Sequence, residues 1–508
     1  MKASDELFRL IRTLTPSEKR YFKTNAKREN ATSNYLQLFE AIDAQSEYDE
    51  DKLKKKHASK KFVKYLSAEK NYLHEQIMKN MRAFHVDRTV DNKINDLLQD
   101  ESFYQAKGLN ELRKKTIDKA KALAKEYERF HLLKEVLKIQ TGYVIEFEKK
   151  NLTEPVLRLI NEQKQLAIIQ DTELELQSKN RELFTMLRSG LDMKDVSNRN
   201  RADMLLSETE LYRPRIKGWF TLQVQFERAN SNYNYLIGDR FKSFVHTKQE
   251  YECFQQFDHF KAEDAINYKK CLANLMARSL SAGQFEWFEK GLVEMKSLPT
   301  PSFNEEGEVF QNVYFQEHLY YINVGKFVEA EALVPLIQAG LVKYASKVNK
   351  ARQTAFRFNI MVMYFVMHKF RDALQWADVI MTDASEIKQH QKLVTVLLLP
   401  LIHYELGHED LVESFTRSAY RFLHKKKRLH EFERLVIKYL REMPLSSDQE
   451  AFRRKLRTFL NNLEKLMHDP KVSTALGMDE LSLWAKSHVE GIPMDVQLRE
   501  RATVEKVP

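Results

Sequence analysis

Glycine and proline are scarce in this chain: 13 and 11 among 508 residues, under half their usual combined share. Neither occurs in residues 17–107, so nothing there obliges a helix to stop. Cysteine is scarcer still. Cys253 and Cys271 lie 18 apart with no companion pair, which excludes a disulfide framework, argues against a structural zinc site and leads us to expect a reducing, cytoplasmic setting. The longest apolar runs, 360–367 and 393–402, are far short of the roughly 20 residues that cross a bilayer. Met1–Glu6 has no apolar core of a secretory leader. No segment alternates with period two between Gly/Asn turns, so no sheet is expected. Catalytic signatures are missing too: no Gly-rich phosphate loop, no G-x-S-x-G elbow, no H-E-x-x-H. Ser67-Ala68-Glu69-Lys70 matches S-x-x-K in form, without the other elements of that acylating site. We expect no enzyme, no cofactor and no bound metal.

What is present is helix punctuation over a well-charged surface. Charged residues are 30% and hydrophobics 43%, enough apolar material for a core, so disorder is not expected. Thr15-Pro16-Ser17-Glu18 reads as a capping box with proline at the first helical position. Thr32 or Ser33 starts a helix with the stripe Leu36, Phe39, Ile42, and a short basic helix follows at 49–57. From Lys61 the apolar positions Phe62, Tyr65, Leu66, Leu73, Ile77, Met81 and Phe84 keep helical spacing to His85, predicting one long helix that buries Phe62, Tyr65, Leu66 and Tyr72. Thr153-Glu154-Pro155 starts another helix, with breaks at Gly190 and Pro214, and Pro400 predicts a kink. Trp219, Trp287, Trp376 and Trp484 are expected as core anchors.

A turn signature recurs down the second half. Gly283-Gln284-Phe285, Gly325-Lys326-Phe327 and His368-Lys369-Phe370 are 42 and 43 residues apart, with Gly238-Asp239 45 before and Gly407-His408 39 after. Such a period marks stacked helical hairpins, each too small to bury its own apolar face. Tyr321-Ile322 and Tyr364-Phe365 precede their turns by four and three residues, and Ala330 and Ala373 follow by five. This pattern of aromatic pair, turn and small residue resembles the tetratricopeptide-repeat (TPR) family over residues 235–443, although its period is longer than that family's 34 and Phe288 and Val412 stand at the small position. The opening around Leu14 to Phe22 is similar to some uncharacterised bacterial helical-repeat proteins. The expectation is an all-α, right-handed α-solenoid of antiparallel hairpins with a period near 42. Its parts are a helical domain at 1–90, long hairpins with degenerate repeats at 91–232, TPR-like repeats at 233–445, and capping helices with a tail at 446–508.

The resemblance implies a non-catalytic scaffold that binds a protein or peptide along the first helix of each pair. Asn312, Phe315, Leu319, Asn323, Arg352, Arg357, Phe358 and Asn359 would line that face. Net charge is +10. Residues 332–371 hold no Asp or Glu but contain Lys343, Lys347, Lys350, Arg352, Arg357, Lys369 and Arg371, which favours an acidic partner. The plainer account is a solvated face with lysines lying over core edges. Residues 52–82 carry ten Lys/Arg against two acids. A helix-turn-helix there would let Lys54, Lys55, Lys60, Lys61 and Lys64 contact nucleic acid, making the chain a regulator with the repeats as sensor. Basic residues His424 to Arg428 fit a helix's last turn, opposing its negative end. His403 and His408, five apart, do not share a helix face and are expected as core or turn residues.

Overall fold

The computed structural model describes residues 5–30, 33–85, 89–147, 152–382, 389–443, 449–468 and 477–504. These are helical, with no strand among them. The chain forms two compact units, Met1–Cys271 with Pro301–Phe303, and Leu272–Thr300 with Asn304–Pro508.

The first unit begins with α1 (Glu6–Thr13), α2 (Pro16–Asn30), α3 (Asn34–Asp43), α4 (Glu50–Lys56), α5 (Lys61–Lys64) and α6 (Leu66–His85). The capping box forms: the Thr15 N–H donates to Glu18 Oε2 at 2.7 Å and the Glu18 N–H to Thr15 Oγ1 at 3.3 Å. Ser33 precedes α3 without a side-chain cap bond, and Thr32 lies outside the described residues. The long helix expected from Lys61 is interrupted. Tyr65 leaves helical geometry at φ −124° and ψ 36°, which turns the stripe out of register. Phe62 and Leu66 are buried as expected, but Tyr65 is 71% exposed and Tyr72 47%.

Longer helices follow: α7 (Val90–Lys107), α8 (Asn110–Glu126), α9 (Phe130–Phe147), α10 (Thr153–Ser189), α11 (Val196–Glu210), α12 (Phe220–Leu236), α13 (Arg240–Gln256) and α14 (His259–Glu263). Each of α7 to α13 packs on its sequence neighbour, and α10 also packs on α12. α15 (Ala265–Ser281) carries the boundary between the units.

The second unit continues with α16 (Phe285–Ser297), α17 (Phe303–Asn323), α18 (Phe327–Lys343), α19 (Lys350–Val366), α20 (Phe370–Thr382), α21 (Gln389–Glu405), α22 (Glu409–Lys425), α23 (Glu431–Glu442), α24 (Gln449–His468), α25 (Met478–Glu490) and α26 (Met494–Val504). From α18 on, each helix packs on the next. α19 also packs on α21, and α21 on α23, so first helices of successive pairs meet. This is the neighbour-on-neighbour packing of a helical repeat. Of the four tryptophans only Trp484 is fully buried; Trp219, Trp287 and Trp376 are partly so.

The turns that open α16, α18, α20 and α22 share one hydrogen-bond pattern. At Gly325 the N–H donates to the Ile322 carbonyl at 3.1 Å, and the next N–H, of Lys326, reaches Tyr321 at 2.8 Å. Gly283, His368 and Gly407 and their following residues repeat both bonds, with φ of 68°, 57° and 72°. This left-handed cap satisfies the last carbonyls of the preceding helix. Five residues past each turn, Phe288, Ala330, Ala373 and Val412 are all buried whatever their size. A left-handed non-glycine residue costs about 1 kcal/mol. His368 nevertheless occupies one such position, and its Nε2 accepts the Met494 N–H at 3.2 Å, tying the turn to the start of α26.

Candidate functional site

The residues singled out for partner binding lie on the first helices α17 and α19. Arg352 sets its guanidinium over the Phe315 ring at 4.3 Å, joining the two helices by a cation–π contact. Asn312 is half-buried on the Phe315 side of α17. Asn323 is exposed and donates to the Leu319 carbonyl of its own helix at 2.8 Å. Asn359 shares Arg352's face of α19, seven residues on, and its buried Nδ2 has no acceptor. Arg357, five residues on from Arg352, stands about 140° around the helix and belongs to another side.

The stretch without acids is not free of them in space. Lys343 pairs with Glu306 of α17 at 2.9 Å, and Lys369 with Glu331 of α18 at 2.6 Å. The Lys343 ammonium and the Tyr344 hydroxyl hold Glu306 below the usual carboxylate range. Tertiary packing therefore neutralises part of what looks in one dimension like a basic wall.

The other side of α17 opens onto a groove of about 380 Å3. Val309, Phe310, Val313 and Tyr314 of α17 face Leu336 and Gly340 of α18 and Tyr344 beyond it. Gly340 is required: a Cβ there would overlap the Phe310 ring. The outer face of α18 prolongs the apolar surface. Val328, Leu336 and Val342 are 76%, 51% and 80% exposed, and Ala332, Pro335 and Ala339 between them are exposed too. Their spacing of four, seven, eight, eleven and fourteen residues makes one stripe along the helix. Lys296 lines the groove but is paired with Glu317 at 2.7 Å, and exposed Lys347 packs its stem on Gly307, next to the lining Glu306. The signal is present in the sequence, since α18 is apolar on more than its core face, although a reading of charge alone does not reveal it.

Among the N-terminal lysines, Lys54 pairs with Glu50 at 2.7 Å. Together with Lys70, also bonded to Glu50, it pulls that carboxyl down to about 2. Lys55, Lys60, Lys61 and Lys64 are exposed. The four-residue α5 and the break at Tyr65 precede the unbroken α6, so Lys60, Lys61 and Lys64 lie ahead of that long helix and not along it. Lys70, the cation of the S-x-x-K match, is engaged by Glu50 at 2.5 Å.

His403 and His408 meet despite their helical-wheel angle, with Nδ1 atoms 3.2 Å apart. The left-handed turn at Gly407 folds one back on the other, so a wheel drawn through it does not apply. His403 is buried and stacks on Phe415 at 4.3 Å. His424 and Lys425 do end a helix, α22. No cluster of three or more metal-ligating side chains occurs among the described residues, and no helix among them is long and apolar enough to cross a membrane. Compared with family models, curated proteins and solved structures, the chain matches none.

Proposed function

We propose that this chain is a non-catalytic, TPR-like scaffold, a right-handed solenoid in its second unit, that captures a peptide or protein partner in the groove between α17 and α18. The observation that carries this reading is the continuity of the groove with the exposed apolar stripe of α18. Exposed apolar area of that extent is costly to leave in water, about 25 cal/mol per Å2, and marks a surface that is covered in use. The partner would insert a bulky apolar side chain beside Phe310 and carry acidic residues toward Lys347. Such a complex loses affinity as salt screens that lysine.

The test is affinity capture with cross-linking and mass spectrometry, comparing the native chain with Leu336→Glu and with Arg352→Glu/Arg357→Glu. A partner lost only with Leu336→Glu supports the groove. Loss only with the arginine pair moves the site from the groove to the sides of α19 that carry Arg352 and Arg357. Undiminished capture by both folded variants refutes partner binding on these helices.

A second reading has its own observation, the exposure of Tyr65 among Lys60, Lys61 and Lys64. An aromatic ring amid cations is the pattern of nucleic-acid binding by stacking and phosphate contact. Binding to duplex and single-stranded DNA across a salt series decides it, because phosphate neutralisation gives a steep salt slope. No shift at low salt eliminates it.

A further inference from the structure

The first unit holds a second cavity, of about 390 Å3, whose chemistry is unlike the groove's. Its walls are polar. One side of α10 presents Gln170, Glu173 and Gln177, spaced three and four residues apart so that they share a face. Opposite stand Gln225 and Arg228 of α12. The floor includes Glu128, in the left-handed cap between α8 and α9 at φ 49°. That carboxylate accepts the N–H groups of Phe220 and Thr221 at 2.7 and 2.8 Å, capping α12.

The charges here are incompletely matched. Arg129 is taken up by Asp91 and by Glu263. Arg228 binds Glu250 through Nε at 2.6 Å, while its buried Nη2 finds no acceptor. Glu173 receives only the Gln177 amide, at 3.0 Å, and no cation among the described residues pairs with it. Burial pushes both Glu173 and Glu128 above their ordinary values, and the charge of Glu128 adds to the effect on Glu173. A partly open arginine and a carboxylate without a cation therefore line one cavity.

We infer that this cavity binds a small zwitterion of the size of a free amino acid, its ammonium paired with Glu173 and its carboxylate taken by the guanidinium of Arg228 where that side chain lines the cavity. An amine alone would make no use of Arg228. A carboxylate alone would face Glu173 and Glu128. The side-chain amides of Gln170 and Gln225 supply neutral donors and acceptors that tolerate either end. This site is independent of the partner groove and would make the first unit responsive to a metabolite.

The experiment is isothermal titration calorimetry on the full chain with the proteinogenic amino acids, γ-aminobutyrate and ε-aminocaproate, with butylamine and butyrate as single-charge controls. At least one zwitterion should bind about tenfold or more tighter than either control. Glu173→Gln should weaken that zwitterion about tenfold or more without lowering the melting temperature of the unliganded protein, because it removes the repulsion with Glu128. Arg228→Lys keeps the charge opposite Glu250 but lacks the second nitrogen, and should reduce the zwitterion to the level of butylamine. The inference is overturned if no zwitterion binds below about 10 mM, if butylamine binds as well as the best of them, or if Glu173→Gln retains full affinity.

Discussion

The two units hold themselves together differently. Most of the second shares one large apolar cluster, running from Phe310 and Phe327 through Ile360, Leu398 and Leu440 to Trp484 and Met494. The first has several smaller clusters, one around Phe22, Phe39 and Ile77, another around Ile117, Val136 and Leu166, and others around Leu176 with Phe226 and around Leu183 with Ala229. Polar ties supplement them. Arg113 bonds Glu101 at 2.6 Å, both buried, and Arg228 bonds wholly buried Glu250. The Ser231 hydroxyl meets Thr247 at 2.7 Å inside the α12–α13 contact. An apolar core tolerates small changes in proportion to area, whereas a buried ion pair fails abruptly when one partner is removed. The unit with the polar ties is also the one with the polar cavity.

The largest expected effect attacks the first unit at its ion pair. Glu250→Leu strands Arg228 as a buried, unpaired cation and should cost about 3–5 kcal/mol, read as a lowered urea midpoint. Arg228→Met/Glu250→Leu should recover most of the loss. If the single change is as mild as the double, the pair does not hold that unit together.

Next comes an exception inside the apolar unit. His318 is fully buried with neither ring nitrogen bonded, and burial alone pushes its imidazole down to about 4. A base depressed in the folded state stays neutral while its unfolded counterpart takes a proton. Stability is thus full above about pH 6.5 and falls by about 3 kcal/mol as pH drops toward 4. His318→Phe should flatten that part of the melting-temperature profile. An unchanged slope between pH 6.5 and 4 would assign the acid sensitivity to other groups.

Gly340→Ala is a smaller test of packing in the second unit. Alanine normally favours a helix interior by about 1 kcal/mol over glycine. Here its methyl would overlap Phe310, so we expect a net loss of about 1–3 kcal/mol and a closed groove. A gain in thermal stability would show that the α17–α18 approach is looser than described.

The smallest effect is at His368. Glycine there relieves the left-handed strain but removes the bond to Met494, two terms of about 1 kcal/mol with opposite sign. The melting temperature should hardly move. Hydrogen exchange at Met494 should rise, and an unaltered rate would mean the tie is dispensable.

Much of the local structure was legible in residue order. The capping box at Thr15 and the start of α10 at Thr153 follow from signals spanning five residues or fewer, and the turns at Gly283, Gly325, His368 and Gly407 with the buried Ala330 and Ala373 follow from a short signature repeated at nearly constant distance. Such signals work because caps and turns are closed by bonds between near neighbours. Charge runs were less informative. Lys343 and Lys369 met carboxylates 37 and 38 residues away, a separation no window of local charge can see. Tyr65 was misplaced for a related reason, since a single residue leaving helical geometry rotates everything before it.

Residue order by itself determined that this chain is helical, where its hairpins turn and which side of most helices is apolar, because backbone hydrogen bonding and helical periodicity act over one or two turns. Only the tertiary structure decided that a groove opens beside Phe310, that the basic stretch is partly neutralised, and that Glu173 and Arg228 share a cavity. Those depend on which helices meet, and burial then sets the strength of every charge brought together there.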